Sequence, residues 1–278
     1  MSDNVRVAVL FGFGINCDRE TAAVFDMVGG TSERLHVNHL VQGNRSLEEF
    51  DILAVPGGFS FGDHLGSGRL LGNRLRFALR DQLQKFVNSG KPIIGICNGF
   101  QALVKTGLLP GPENASLEPD LIQRASLTLN NTGRYEDRWV TLEFDSESPC
   151  IWTKGIQRIE CPVRHGEGRF VMPTDAELDR LSTNHQLTVR YVDPSIESGS
   201  GLSDDLLPFP LSPNGSMRNI AGICDPTGLV FGLMPHPEAF YTMWLHPEHT
   251  SMNLEDDEWE GSGLQIFRNA VEYVRSQR

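Results

Sequence analysis

Three short, almost wholly apolar runs most constrain what this chain can fold into: "VRVAVLF" from Val5, "DILAVP" from Asp51 and "PIIGIC" from Pro92. Each is rich in β-branched residues, too short for a stable helix and bounded by glycine or proline. Between them lie helix-like segments, Asp18 to Val28 and Leu70 to Asn88. Strands that are apolar on both faces and separated by helices form a parallel sheet covered by helices on both sides. The second helical segment ends at "NSGK", where Gly90 suits a C-terminal cap and Pro92 prevents continuation.

From Leu127 the character changes. "LTLNNTGRYEDRWVTLEF", "RIECPV", "LTVRYVD" and "IAGICDPTGLVFGLM" read as strands, with "DPTG" as a turn between two of them. The last segment, "GSGLQIFRNAVEYVRSQR", places Leu264, Phe267, Val271 and Val274 at helical spacing, which predicts a C-terminal helix packed on the sheet. "LLPGPENASLEPD" and "SIESGSGLSDDLLPFPLSPNGS" read as loops, and "NLEDDEWE" as a solvated loop or helix start. A chain of 278 residues is long enough for one large α/β domain with insertions, which is the expected organisation.

A net charge of -12 argues against a nucleic-acid partner held through phosphates, which needs a basic surface. No stretch has the apolar length of a membrane span, and the start lacks the basic region and cleavage site of a signal peptide, so the expected location is cytoplasmic. Five cysteines without a C-x-x-C pair suggest neither a disulfide framework nor a zinc knuckle. They leave buried thiols, or one thiol with a task.

"GICNGFQ" singles out that thiol. Gly95, Cys97 and Gly99 fit G-x-C-x-G, the cysteine form of a nucleophile elbow, in which a sharp strand-to-helix turn exposes the nucleophile. The helix that follows offers N-terminal amides and a positive dipole end. A nucleophile needs a base, and the base an orienting group. "MPHPEAF" places His236 and Glu238 two apart, so that on extended backbone both would share one face. In "VPGGFSFGD" the glycines let backbone approach a ligand, and Gly58 could supply an oxyanion donor beside the Asn98 amide. Singly, these are equally a packed cysteine, a surface ion pair and a glycine turn. Their coincidence in one chain favours chemistry.

Together, "PGGFSFGD", "GICNGFQALVKTGLLPG" and "MPHPEAF" resemble the oxyanion loop, elbow and His-x-Glu segment of class I glutamine amidotransferases. "CNGFQ" followed by "GLLPG", "NNTGRYEDRWV", "HGEGRF", "PNGSMRNIAGI" and "MPHPE" is similar, in the same order, to the glutaminase subunits of phosphoribosylformylglycinamidine synthases. The resemblance runs from about Val5 to about Phe240. It implies a flavodoxin-like, mostly parallel sheet flanked by helices, with additional antiparallel strands in the second half. It also implies one glutaminase domain over residues 1–278, with a C-terminal extension from about residue 241.

The implied reaction is hydrolysis of L-glutamine to glutamate and ammonia by a triad of Cys97, His236 and Glu238. Gly58 and Asn98 would form the oxyanion site, and Gln101 would help hold the substrate. The resemblance implies no metal and no cofactor in this chain. ATP and magnesium belong to the expected partner, a synthetase subunit that amidates formylglycinamide ribonucleotide for purine biosynthesis, together with a small accessory subunit. The chain has no phosphate-binding glycine-lysine motif, in agreement with that division of labour.

The resemblance makes Cys17 a structural or loop cysteine. The family's usual arginines are replaced by Gly66, with Arg69 nearby, and by Ala239. His165 is open between a contact with glutamine or the partner and a hydrogen-bonded structural role. His64, His246 and His249 show no metal-ligand spacing. Two other classes remain: a cysteine peptidase or related hydrolase, which need not carry His-x-Glu after its last strand, and a non-catalytic docking protein, which would have lost a triad residue.

Overall fold

The computed structural model describes residues 4–112, 122–199, 203–252 and 259–278. In chain order the elements are β1 (Val5–Phe11), α1 (Asp18–Met27), β2 (Gly30–His36), α2 (Val37–Val41), β3 (Ile52–Val55), α3 (Arg69–Asn73), α4 (Arg80–Asn88), β4 (Ile93–Ile96) and α5 (Asn98–Thr106). They continue with β5 (Ser126–Thr128), β6 (Glu136–Phe144), β7 (Arg158–His165), β8 (Arg169–Val171), α6 (Asp175–Thr183), β9 (Val189–Tyr191), β10 (Ile220–Cys224), β11 (Val230–Leu233) and α7 (Leu264–Ser276).

The three apolar runs become β1, β3 and β4 and lie side by side in a nine-stranded sheet ordered β2-β1-β3-β4-β11-β10-β9-β6-β7. From β2 to β11 every neighbouring pair is parallel, in the strand order of a flavodoxin-like doubly wound sheet. All residues of β3 and β4 are buried, which is why neither alternates polar with apolar side chains. The strand-rich second half extends this sheet through antiparallel β10, β9, β6 and β7, while β5 pairs with β8 separately. The "DPTG" turn closes as expected, Gly228 N–H donating to the Asp225 carbonyl at 3.0 Å.

Helices α1 and α7 pack together over β1, and α5 packs with α3 over β3, β4 and β11. Leu264, Phe267, Val271 and Val274 of α7 are buried as their spacing predicts, and the Phe267 ring meets Phe25 of α1 edge-to-face at 5.0 Å between centroids. Gly90 follows α4 at φ 72°, its N–H donating to the Val87 carbonyl at 2.9 Å.

Helices α2 and α6 are absent from the sequence reading, and two further elements differ from it. Leu70 to Asn88 is not one helix: a π turn over Arg74–Ala78 and a break at Leu79, φ -118°, separate α3 from α4. Leu71, Leu75, Leu79 and Leu83, all buried, recur every four residues, and each such step overshoots an α-helical turn by roughly 40°. The wider π turn takes out part of that drift and keeps the row facing the core. The second difference is β2, "GTSERLH", an edge strand in which only Leu35 is buried, so that no apolar run marks it. Residues 1–3, 113–121, 200–202 and 253–258, which include parts of the two loops and of the acidic stretch, lie outside the described residues. Among the described residues no helix is long and apolar enough to cross a membrane.

Candidate active site

Parallel pairing aligns the carboxyl ends of the central strands, the edge at which open α/β sheets bind ligands. Val55 of β3 pairs with Gly95 of β4, and Ile96 of β4 with Leu233 of β11. The chain therefore leaves β3 into Gly57 and Gly58, β4 into Cys97, and β11 toward His236 on one shared edge.

Cys97 sits at the elbow with φ 50° and ψ -104°, backbone that a non-glycine residue holds at a cost of about 1–3 kcal/mol. Its N–H donates to the Leu233 carbonyl at 2.8 Å, which anchors the strand end. The flanking glycines are steric requirements. A Cβ on Gly99 would stand 1.8 Å from the Val55 carbonyl oxygen, and one on Gly95 would stand 2.8 Å from the Gly99 carbonyl group. Behind the elbow α5 buries Phe100, Leu103 and Val104, each worth roughly 1.5–3 kcal/mol. The first-turn amides of α5, that of Asn98 among them, have no acceptor within the helix and point toward the elbow.

His236 and Glu238 are 2% and 0% exposed, and Nδ1 of the imidazole lies 2.6 Å from Oε1 of the carboxylate. The backbone route to this pair corrects the sequence reading. The segment does not stay extended; a 3₁₀ turn over Pro237–Ala239 starts directly after His236. Proline at the first position of a helical turn needs no N–H and has the right φ, so Pro237 opens the turn. Burial by itself would push the imidazole down. The Glu238 carboxylate, together with the sulfurs of Cys97 and Cys17, outweighs it and holds His236 well above the ordinary histidine range. Among the described residues, His236 Nε2 and Glu238 Oε2 have no hydrogen-bond partner in good geometry.

Gly58, at φ 146°, lies where a Cβ would come 2.6 Å from the Gly14 carbonyl oxygen and 2.8 Å from the Asn16 nitrogen. The Asn98 side chain ties this loop to the elbow. Its Oδ1 accepts from Ser60 N–H at 3.1 Å, and its Nδ2 donates to Asp63 Oδ1 at 3.0 Å and Gln101 Oε1 at 2.9 Å. Gln101 in turn donates from Nε2 to the Glu167 carbonyl at 2.6 Å and is 3% exposed. The structure thus places Gln101 behind the site, in the network that fixes Asn98, and not on the cavity wall.

A cavity of about 130 Å³ opens beside the thiol, with Cys97, Gly58 and His236 on its wall next to Cys17, Glu20 and Arg164. The sequence reading missed the last three in this role. Cys17 does lie in the loop after β1, as read, but its thiol faces His236. Glu20 follows in the first turn of α1, and Arg164 directly precedes His165 in "RHGEGRF". The available signal was topological: both follow or end strands of this sheet near the motifs already noted. His165 takes the structural role, 2% exposed between Asn130 Oδ1 at 3.2 Å and Asn214 Nδ2 at 3.4 Å. Burial, with the charge of His236 adding to it, pushes its imidazole down to about 3. Arg69, the nearby substitute for an arginine at Gly66, donates from Nη1 to the Leu65 carbonyl at 3.3 Å and is not on the cavity wall.

A strained cysteine elbow facing a buried His-Glu pair on a flavodoxin-like sheet defines a glutamine amidotransferase, and the chain belongs to that family: residues 4–274 match the CobB/CobQ-like glutamine amidotransferase domain. Within it the chain falls among the PurQ proteins. It is 42% identical over 271 residues to phosphoribosylformylglycinamidine synthase subunit PurQ of Dehalococcoides mccartyi, covering 98% of each chain. The PurQ subunit of Methanococcus maripaludis strain S2 is 40% identical, over 96% of this chain and 97% of its own. Among solved structures, a chain of PurLQS from Thermotoga maritima superposes with a TM-score of 0.68 at 26% identity, over 97% of this chain and 98% of that one.

Proposed function

We propose that the chain is the glutaminase subunit of a phosphoribosylformylglycinamidine synthase, hydrolysing L-glutamine to glutamate and ammonia. The observation that carries the reading is the convergence of Cys97 with the 2.6 Å His236–Glu238 pair on one sheet edge. Cys97 Sγ, as thiolate, attacks the side-chain amide carbon. The oxyanion that forms is met by the Asn98 and Gly58 amides. The C–N bond then breaks, and His236 gives its proton to the departing ammonia, leaving a γ-glutamyl thioester. His236 next takes a proton from water, whose oxygen attacks the thioester; the C–S bond breaks and glutamate leaves with Cys97 restored. Glu238 keeps the imidazole oriented throughout.

Glutamine carries one ammonium and one carboxylate at its α-carbon, and the cavity wall carries one carboxylate, Glu20, and one guanidinium, Arg164. These two hold the substrate's α-groups while its amide reaches Cys97. Gln101 acts indirectly, by fixing Asn98 and the turn at Glu167. The ammonia passes to a synthetase subunit that spends ATP, with magnesium, on amidating formylglycinamide ribonucleotide, and a small accessory subunit completes the assembly. The names of the PurQ relatives and of the PurLQS structure support this partnership. We read residues 1–278 as one glutaminase unit acting in the cytoplasm. The test is glutamate release from L-glutamine by wild type and Cys97→Ala, with and without a synthetase subunit. Release that rises with the synthetase and vanishes in Cys97→Ala is the expected result; release that survives in Cys97→Ala refutes the reading.

A further inference from the structure

We propose that Cys17, His236 and Cys97 form a reversible site for a soft divalent cation, Zn²⁺ by its donor set, that is occupied only at the expense of catalysis. Cys17 Sγ, a ring nitrogen of His236 and a carboxylate oxygen of Glu238 lie within 4.8 Å of one another. The first two and Cys97 also converge on one point of backbone. A Cβ built on Gly57 would meet His236 Cε1 at 2.8 Å, Cys17 Sγ at 3.3 Å and Cys97 Cβ at 3.5 Å. Cys17 and Cys97 are 8% and 5% exposed.

The imidazole supplies an independent sign of a ligand. Among the described residues its buried Nε2 meets no hydrogen-bond partner in good geometry, and His236 lies on the cavity wall together with both cysteines. Nδ1 is already committed to Glu238 at 2.6 Å. Once its Nε2 proton has left, an imidazole that donates from Nδ1 to a carboxylate and offers Nε2 outward has the arrangement found in carboxylate–histidine–zinc sites. Two thiolates and that nitrogen make a soft set of three, and the cavity leaves the fourth tetrahedral position to water. Cys17 Sγ and the His236 ring already lie within 4.8 Å of each other, and Zn–S bonds of about 2.3 Å with a Zn–N bond of about 2.0 Å require the Cys97 side chain to rotate its sulfur toward them. Binding displaces to solvent the protons held by the cysteines and by Nε2 of the charged imidazole as the metal takes their place. Nothing is oxidised, and a chelator reverses it.

Cys17 is what distinguishes this site from an ordinary catalytic Cys-His pair. The inhibitory half of the proposal rests on the function proposed above, because the ion would occupy both the nucleophile and the base. The binding half does not, and it is read separately. Titrating the full chain with Co²⁺ should give a near-ultraviolet thiolate-to-cobalt absorption that saturates at one ion per chain and disappears when Zn²⁺ is added. Zn²⁺ should also protect Cys17 and Cys97 of the wild-type chain from iodoacetamide, read by peptide mass spectrometry, an arm that needs no variant. Cys17→Ala and Cys17→Ser, checked for folding by thermal unfolding, should each weaken the ion by at least about tenfold, the lower bound for loss of even an outer-sphere partner. With the synthetase subunit present, glutamate release should fall on adding Zn²⁺ and return with EDTA. Half-inhibition in each Cys17 variant, relative to its own metal-free rate, should need correspondingly more Zn²⁺. Absence of the cobalt absorption, or equal affinity with and without Cys17, overturns the proposal. Tight binding by a metal-free protein that never releases glutamate would support the site and refute the catalytic reading instead.

Discussion

Gly57→Ala tests how tightly the backbone behind the nucleophile holds the base. The added Cβ would stand 2.8 Å from His236 Cε1, whereas carbon atoms in contact settle at about 3.5–4.0 Å. One of the two must therefore move by about 0.7 Å or more. The methyl has little room, with Cys17 Sγ at 3.3 Å and Cys97 Cβ at 3.5 Å on its other sides. The imidazole is the freer partner, but its Nδ1 is held by Glu238 at 2.6 Å and its backbone N–H by the Pro162 carbonyl at 2.8 Å, so it tilts instead of retreating. A displacement near 1 Å at a reacting group costs on the order of 10²-fold in rate, about 2.7 kcal/mol of barrier. The assay is glutamate release with the synthetase subunit, with kcat and KM determined separately alongside thermal unfolding. We expect kcat to fall by about two orders of magnitude while KM and the unfolding midpoint move little. In a His236→Ala background the same substitution should add almost nothing, since the group it displaces is gone. A folded Gly57→Ala protein with undiminished kcat would refute the placement of His236.

Other outcomes follow from the same geometry. His165 is about 3 when folded and about 6.5 when unfolded, so between these values the unfolded chain binds more protons and stability falls as pH falls; the loss reaches about 2 kcal/mol by pH 5. His165→Gln should flatten denaturant-derived stability over that window, and an unchanged slope would count against a neutral buried imidazole. Glu20→Gln and Arg164→Gln should each raise KM for glutamine by about tenfold or more, the worth of a charged hydrogen bond, with kcat less affected. An unchanged KM in both would remove them from substrate recognition.

The parallel half of the sheet was legible because its strands are buried on both faces and announce themselves as apolar runs. β2 was not, since an edge strand with only Leu35 buried carries the composition of a loop. The interruption between α3 and α4 also escaped, because leucines at Leu71, Leu75, Leu79 and Leu83 fit a continuous helix in sequence and reveal their drift only when packed against the core. That Cys97, His236 and Glu238 would meet at one sheet edge could be read from local pattern. Gly95 and Gly99 are dictated by contacts with β3 and with each other, and such close approaches leave a motif. The conformation behind His-x-Glu did not follow, because prolines disfavour helix interiors yet favour the first position of a turn. Cys17, Glu20 and Arg164 reach the cavity through strand order alone, and no spacing in the sequence marks them. Gln101 shows the converse: a residue placed by its motif whose amide is occupied by Asn98 and the Glu167 carbonyl.

Whether Cys97 carries the covalent intermediate is decided by acid-quenching the protein during turnover of L-glutamine with its synthetase subunit and mapping adducts by peptide mass spectrometry. One γ-glutamyl group is expected on the Cys97 peptide of the wild type, and none in Cys97→Ala. Turnover with the adduct on Cys17, or an adduct that persists in Cys97→Ala, would contradict it.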